Sequence, residues 1–341
     1  MTGKRATMRE VAELAGVSRT TVSFVLNDTP NANIPPKTRR RVLDAVRRLN
    51  YVPDATAVTL VTGRTQTLAL VLRQTAHQLS ADAFLGEVLR GLTRAVEPAG
   101  YHTLVHPVAP DMTYGQLARS QKVDGLILSG PMVEEAELTA LHAEGTPIVV
   151  QGTTIPRDVP SVDVDNEAAA RVAVTHLLAL GHRRIGHITN ARTVYAAAHD
   201  RLSGYCQALE AYGVPYDPRL VYEGDFTEDS GAAAMRALLD LDEPPTAVFV
   251  ASDVVALGAL QVIREHGLHV PDDISLVGFD NIPLVSHLDP GLTTIHLPAF
   301  ELGQRAGEML LSLVWGNALE QTRVLLETEL VVRGSTGPPP A

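Results

Sequence analysis

Thr7-Met-Arg-Glu10-Val-Ala-Glu-Leu-Ala15-Gly16-Val17-Ser18-Arg19-Thr20-Thr21-Val22-Ser23-Phe24-Val25-Leu26-Asn27 decides how this chain is read. Thr7 and Glu10 stand at capping-box spacing, so each can satisfy an orphan donor at a helix start. Val11, Leu14 and Ala15 follow at i, i+3, i+4 and are expected to form one apolar face. Gly16 predicts the stop, because the residue after a helix favours the left-handed conformation that glycine adopts freely. Ser18 is a good N-cap for a second helix with Val22, Val25 and Leu26 inward. Arg19, Thr20, Thr21, Ser23 and Phe24 are then left outward. Two short helices with a tight turn and a polar outer face predict a helix-turn-helix, whose second helix meets base edges in the major groove.

The neighbouring segments agree. A third helix is predicted from about Pro36 to Leu49, with Val42, Leu43, Val46 and Leu49 inward and Arg39, Arg40, Arg47 and Arg48 outward. Residues 1–65 hold eleven Lys/Arg and five Asp/Glu, a net of +6, whereas the whole chain is −11 and residues 66–341 therefore carry −17. A basic head on an acidic body confines contact with phosphate to the head. After it, Asp54 can cap a short helix that ends before Gly63. So short a helix is not stable alone in water and is expected only where something else supports it, such as a partner copy and DNA.

The composition is that of a globular protein: 341 residues, 45% hydrophobic and 20% charged. No run of 18 apolar residues suggests a membrane span, and the first ten residues have no apolar stretch of a secretory signal, so a cytoplasmic protein is expected. The single cysteine, Cys206, has no intrachain partner and sets no zinc site. The 12 histidines are scattered, and no His-Glu-x-x-His, Walker loop or Gly-x-Ser-x-Gly pattern is present. An enzyme, a metal site and a resident cofactor are therefore not expected.

From Thr67 the chain alternates apolar strands with helices. The predicted strands are 68–72, 102–105, 125–128, 147–150 and 161–164, then 184–188, 220–222, 247–250, 275–278 and 293–295. Helices are predicted at 84–99, 168–180, 200–211, 230–239, 253–266 and 300–315. Strands apolar throughout and alternating with helices predict parallel sheets covered on both faces. Two such series predict two doubly wound α/β lobes. Arg73–Ala83 reads as a long loop, and Gly334–Ala341, with three prolines, as a disordered tail.

Several separated motifs then occur in order: Val11-Ala-Glu-Leu-Ala-Gly-Val-Ser18, Thr21-Val-Ser23, Asn50-Tyr-Val-Pro53, Val123-Asp-Gly-Leu-Ile127, Val164-Asp-Asn166, Leu180-Gly-His182, Arg201-Leu-Ser-Gly-Tyr205, Ser252-Asp253 with Ala256-Leu-Gly258, Val277-Gly-Phe-Asp280 and Leu292-Thr-Thr294. As a set they are specific, and over nearly its whole length the chain resembles the lactose-repressor (LacI/GalR) family. That resemblance implies a helix-turn-helix head at 1–52, a hinge helix at 53–65, and an effector-binding core at 66–333 of periplasmic-binding-protein type. Its N-lobe is expected at about 66–166 plus 296–325 and its C-lobe at about 167–295 plus 326–333. It also implies a homodimer on a near-palindromic operator, because the twofold of the protein must match that of the site.

Residue by residue, the resemblance implies DNA contacts from Thr7, Ser18, Arg19, Thr20, Thr21, Ser23, Phe24, Asn27 and Tyr51. Ala57 is expected at the close approach of paired hinges and Leu60 as a wedge in the minor groove. Phe24, Val58 and Asp54 depart from the residues usual at their positions. In the cleft it implies Arg201, Asp280 and Ser252 as effector contacts and Phe226 as a stacking face, with Ser129 and Gln151 as further candidates just past their strands. Asp253 is expected to support the site from behind. No Asn-Pro-Phe motif follows the first strand, though Phe84 remains. A small-molecule effector is implied, a sugar in preference to a purine. A periplasmic sugar-binding protein and a nucleoid-type DNA binder without effector are the competing readings.

Overall fold

The computed structural model describes residues 6–26, 32–52, 59, 62–109, 112–153 and 158–340. Asn27, Asp54, Ala57, Val58 and Leu60 lie outside the described residues. The chain divides into two compact units, 1–65 and 66–341.

The first unit contains α1 (Met8–Ala15), α2 (Arg19–Leu26) and α3 (Pro36–Leu49). The Thr7 N–H donates to Glu10 Oε2 at 2.7 Å and the Glu10 N–H to Thr7 Oγ1 at 3.3 Å, which is the reciprocal cap. Gly16 ends α1 at φ 61°, ψ 45°. The Thr21 N–H donates to Ser18 Oγ at 3.1 Å and starts α2. The Arg41 guanidinium reaches back from α3 to the carbonyls of Ala15 and Gly16, closing the end of α1.

The core of this unit is Val11, Ala12, Ala15, Val22, Val25, Val42, Ala45 and Tyr51. Two expected core residues are outside it: Leu14 is 49% exposed and Leu43 40%. At about 100° per residue, the buried arc of α1 runs from Val11 through Ala15 to Ala12, and Leu14 falls off its far edge. In α3 the arc centres on Val42 between Ala45 and Val46, leaving Leu43 beyond it. Small alanines at both arcs let the three short helices approach closely.

The second unit alternates strands and helices. Its first series is β1 (Thr67–Leu72), α4 (Ala76–Ala81), α5 (Ala83–Val96), β2 (His102–Pro107), α6 (Gly115–Arg119), β3 (Gly125–Ser129), α7 (Ala136–Ala143), β4 (Ile148–Gln151) and β5 (Ser161–Val164). Its second is α8 (Asn166–Ala179), β6 (Ile185–Ile188), α9 (Ala196–Ala211), β7 (Val221–Tyr222), α10 (Glu228–Leu239), β8 (Ala247–Val250), α11 (Asp253–Glu265), β9 (Ser275–Asp280) and β10 (Thr293–His296). Then follow α12 (Ala299–Val314), β11 (Arg323–Leu326) and β12 (Glu329–Val331).

Two six-stranded sheets result, ordered β2-β1-β3-β4-β5-β11 and β7-β6-β8-β9-β10-β12. All pairings are parallel except β12 against β10. The chain crosses between lobes after β5, after β10 and between β11 and β12. After the second crossing α12 packs on α5 of the first lobe. There the backbones meet: a Cβ on Gly91 would lie 1.9 Å from the Phe300 carbonyl oxygen, and one on Gly303 2.1 Å from that of Val88. Both glycines are required by this close approach.

Three expectations need correction. The segment expected as a loop after β1 contains α4, started by a capping box between Thr75 and Gln78. The strands β11 and β12 were not anticipated; these edge strands bury none of their residues fully and carry little apolar signal. Most consequentially, residues 334–340 are not a disordered tail. Ser335 is 1% exposed. Its hydroxyl accepts from the Thr293 N–H at 2.8 Å and donates to the Leu276 carbonyl at 2.6 Å, while its own carbonyl accepts from the Leu276 N–H at 2.8 Å. The Gly337 N–H donates to Ser275 Oγ at 3.0 Å, and His182 Nε2 lies 2.9 Å from the Gly337 carbonyl. Proline and glycine content suggested disorder, but the backbone between them satisfies buried groups of β9 and β10.

Candidate effector site and nucleic-acid interface

Within the second unit, the carboxyl ends of the strands of both lobes face a cleft of about 960 Å³, counting space open to solvent. Ligands of open α/β sheets bind at this end, where loops rather than strands line the wall. Ser129, Gln151, Arg201, Phe226, Ser252 and Asp280 all line it. Ser129 and Gln151 are paired neighbours at the ends of β3 and β4.

Arg201, 6% exposed, projects from α9. Its Nε donates to Asn166 Oδ1 at 2.9 Å and its Nη1 to the Ala251 carbonyl at 2.7 Å, with the guanidinium 3.7 Å from the Phe279 ring centroid. Among the described residues it forms no direct ion pair with Asp280. The Asp280 carboxylate instead accepts from Ser252 Oγ at 3.1 Å. Asp280 ends β9 at φ 108° and is followed by Asn281 at φ 57°, two consecutive side-chain-bearing residues in a region that disfavours them. Phe226, also left-handed at φ 60°, meets Tyr195 edge-on with centroids 5.2 Å apart. Strain at ligand-facing positions persists only where surrounding structure imposes it. Asp253 stands behind: it accepts from Thr294 Oγ1 at 2.7 Å and from the Ile282 N–H at 2.9 Å, and so anchors the turn after Asp280.

The cleft also contains residues that the sequence reading did not name as contacts: Gln74, Asp82, Asp163, Asn166 and Asn190. The available signal was the place of Gln74, Asp163, Asn166 and Asn190 at or just past the ends of β1, β5 and β6, whereas Asp82 lies further on, at the N-cap of α5. Three buried amide oxygens of this wall, Gln74 Oε1, Gln151 Oε1 and Asn190 Oδ1, accept no hydrogen bond among the described residues. Unsatisfied buried acceptors are costly, about 1–3 kcal/mol each, and a donor-rich guest removes that cost.

The lobes are joined at the mouth. Tyr195 donates its hydroxyl to the Arg73 carbonyl at 2.7 Å, the Ala196 N–H donates to the Pro131 carbonyl at 3.0 Å, and Gln78 of α4 donates to Asp225. Arg73 itself is held by Glu135 at 2.8 and 2.9 Å, both buried.

In the first unit, Thr7, Ser18, Arg19, Thr20 and Phe24 are exposed, Thr21 and Ser23 half-buried. Thr7 and Arg19 share one surface groove with Arg9. Tyr51 departs from expectation: at 9% exposed it belongs to the head core. It is buried in one cluster with Val11, Val22, Val25 and Val42, so packing claims it first. Asn27, Ala57 and Leu60, expected at the DNA, lie outside the described residues.

Comparison with known proteins accords with this geometry. Residues 7–54 match the family model described as bacterial regulatory proteins, lacI family, and residues 174–336 match a periplasmic binding protein-like domain. The HTH-type transcriptional regulator CelR of Thermobifida fusca is 38% identical over 338 residues, 97% of this chain and 98% of that protein. The chain belongs to the lacI family. Another member, the HTH-type transcriptional repressor CytR of Escherichia coli K12, is 36% identical over 336 residues, 97% of this chain and 96% of its own. Among solved structures, the CelR–cellobiose complex is similar at TM-score 0.74 and 36% identity, covering 97% of this chain and all 100% of that one. The Lac repressor dimer bound to operator and the anti-inducer ONPF reaches TM-score 0.83 at 30% identity, over 98% and 100%.

Like its lacI-family relatives, this chain is a DNA-binding transcriptional regulator and not an enzyme. No group of three or more His, Cys, Asp or Glu among the described residues is arranged to hold a metal ion, and no described helix is long and apolar enough to cross a membrane.

Burial in the cleft makes one pH effect testable. Burial pushes the Asp280 carboxyl up to about 7, against the attraction of Arg201 and with the repulsion of Asp82. A group whose folded pKa is raised favours the folded state when protonated, so this contribution is lost as pH rises through about 7. Asp163, raised by burial to about 6, acts in the same sense lower down. His187, lowered by burial to about 4, opposes it below its ordinary value of 6.5. The core without effector is expected to melt at a higher temperature at pH 6.5 than at pH 8, and Asp280→Asn to flatten that difference. An unchanged slope in the variant would remove Asp280 as its source.

Proposed function

We propose that this protein acts as a homodimeric repressor on a near-palindromic operator, with DNA affinity set by a small-molecule effector, a carbohydrate, in the interlobe cleft. The observation that carries the effector reading is the convergence of Arg201, Asp280, Ser252, Gln151, Ser129 and Phe226 on one cleft, with three amide oxygens that accept no hydrogen bond among the described residues. Sugars present many hydroxyl donors and one apolar face, which suits carboxylates, amides and a phenyl ring together. The solved complex of the related CelR with cellobiose supports the same class.

The head supports the DNA reading through its exposed α2 N-terminus and its excess of cations. In this reading Arg19 pairs with a guanine, worth about 1–3 kcal/mol of discrimination. Thr20, Thr21, Ser23 and Asn27 continue the contact surface, with Thr7 and Ser18 fixing its approach and Phe24 against a thymine methyl. Paired hinges place Ala57 residues together and Leu60 side chains between central base pairs. A change in lobe placement alters hinge spacing, and coupling of about 1–3 kcal/mol changes DNA affinity 5–150-fold.

The test is fluorescence anisotropy on inverted repeats from the promoter region of its own gene, at several salt concentrations. A dimer is expected to prefer its best site over random duplex by about a thousandfold or more, with affinity falling steeply with salt. Leu60→Ala should reduce the specific affinity and leave the non-specific one unchanged. A monomer that binds both duplexes alike overturns the dimer–operator reading. Adding neutral sugars, amino sugars and purine bases to the same assay tests the effector class.

A further inference from the structure

Among the described residues the cleft is lined by more carboxylates than cations, and the imbalance comes from a residue outside the motifs that carry the family resemblance. In place of an Asn-Pro-Phe motif the chain reads Asp82-Ala83-Phe84. Asp82 caps α5, accepting from the Leu85 N–H at 3.1 Å, and it also takes the Gln74 side-chain N–H at 2.9 Å. It lines the cleft from the first lobe while Asp280 lines it from the second. Asp163 is the third carboxylate of the wall, accepting from Thr153 Oγ1 at 2.9 Å and from Asn166 Nδ2.

Two cations line the same space, Arg73 and Arg201. Arg73 is neutralised by its two-pronged pairing with Glu135. Among the described lining residues Arg201 is then the one cation not paired with Glu135, beside Asp82, Asp163 and Asp280, and two of its nitrogens already bond to Asn166 and Ala251. The unpartnered groups point the same way. Gln74, Gln151 and Asn190 are each over nine-tenths buried, and each offers the cleft an oxygen that accepts no hydrogen bond among the described residues. Gln74 spends its N–H on Asp82, which turns its oxygen into an acceptor for a guest.

We propose, building on the carbohydrate reading above, that the effector carries a protonated amine, as an amino sugar does, seated between Asp82 and Asp280 with its hydroxyl or ammonium hydrogens on the free amide oxygens. A neutral sugar would satisfy the oxygens and leave the charge uncompensated, and a sugar phosphate would add to it. Uncompensated charge out of water is the most expensive arrangement a binding site can hold, and an ammonium group removes it. The repulsion between the two carboxyls across the cleft is relieved by the same group.

The test is isothermal titration of the full-length protein with matched probes. Glucose is compared with glucosamine and N-acetylglucosamine, and cellobiose with the glucosamine disaccharide and its diacetylated form. Glucose 6-phosphate and spermidine complete the set. The free amine is expected to bind at least tenfold more tightly than its hydroxyl and N-acetyl counterparts, and glucose 6-phosphate not at all. Asp82→Asn, which keeps the cap on the Leu85 N–H through its one oxygen and turns its amide N–H toward Gln74, should remove the amine preference and retain a folded core with a melting temperature close to wild type. Equal or tighter binding of the neutral sugars overturns this inference and leaves the carbohydrate reading standing. Preference for spermidine over every sugar keeps the cationic site and overturns the carbohydrate reading. An amine preference unchanged in Asp82→Asn overturns the role of Asp82, and binding of no probe overturns both readings.

Discussion

Arg201→Met is expected to weaken effector binding by at least a hundredfold and to lower the stability of the core by about 3–5 kcal/mol, the usual cost of removing one partner from a buried charged network. The guanidinium does three things at once. It satisfies Asn166 Oδ1 and the Ala251 carbonyl, it covers the face of Phe279, and it is the cation that tempers Asp163 and Asp280. Methionine restores the volume and none of the donors. Arg201→Lys should recover little, because one ammonium cannot reproduce the planar fork that meets Asn166 and Ala251 together. Urea unfolding reads the stability loss and titration with the tightest-binding probe reads the affinity. Binding within threefold of wild type in Arg201→Met would show that this arginine braces the lobe without touching the guest.

Ending the chain at Arg333 should destabilise the second lobe by several kcal/mol, an effect that a disordered tail could not produce. Three buried donors lose their acceptors: the N–H groups of Thr293 and Leu276, and His182 opposite the Gly337 carbonyl. Each such loss costs about 1–3 kcal/mol, less where water enters the groove. For a core of this size the thermal midpoint is expected to fall by about 5 °C or more. Ser335→Ala alone should show part of the loss, since its hydroxyl serves Thr293 and Leu276 at once. A truncated chain with an unchanged midpoint would return the tail to the role its composition suggested.

The head was legible because its signals are short in sequence. Thr7 with Glu10, Gly16, and Ser18 with Thr21 act over three or four positions, and each is seen in the role its spacing implies. Leu14, Leu43 and Tyr51 were misplaced because the buried arc of a short helix depends on where its neighbours lie. The apolar strands fell within a residue or two of expectation, whereas β11 and β12, half exposed and at or near sheet edges, carried no such signature. In the cleft, Arg201, Asp280 and Ser252 came from motifs. Gln74, Asp82 and Asn190 did not, because nothing local distinguishes a polar residue after a strand that lines a cleft from one in solvent.

By itself the sequence determined the elements and their kind: a cationic helix-turn-helix, two runs of parallel α/β structure, and the family to which both belong. Capping, periodicity and charge are local quantities, and local order along the chain is enough to express them. Tertiary structure alone decided which polar atoms lose their water together. The three free amide oxygens, the opposed carboxylates of Asp82 and Asp280, and the tail bound along β9 and β10 come from segments far apart in the chain. Their energies arise only from shared burial, which no spacing along the chain encodes.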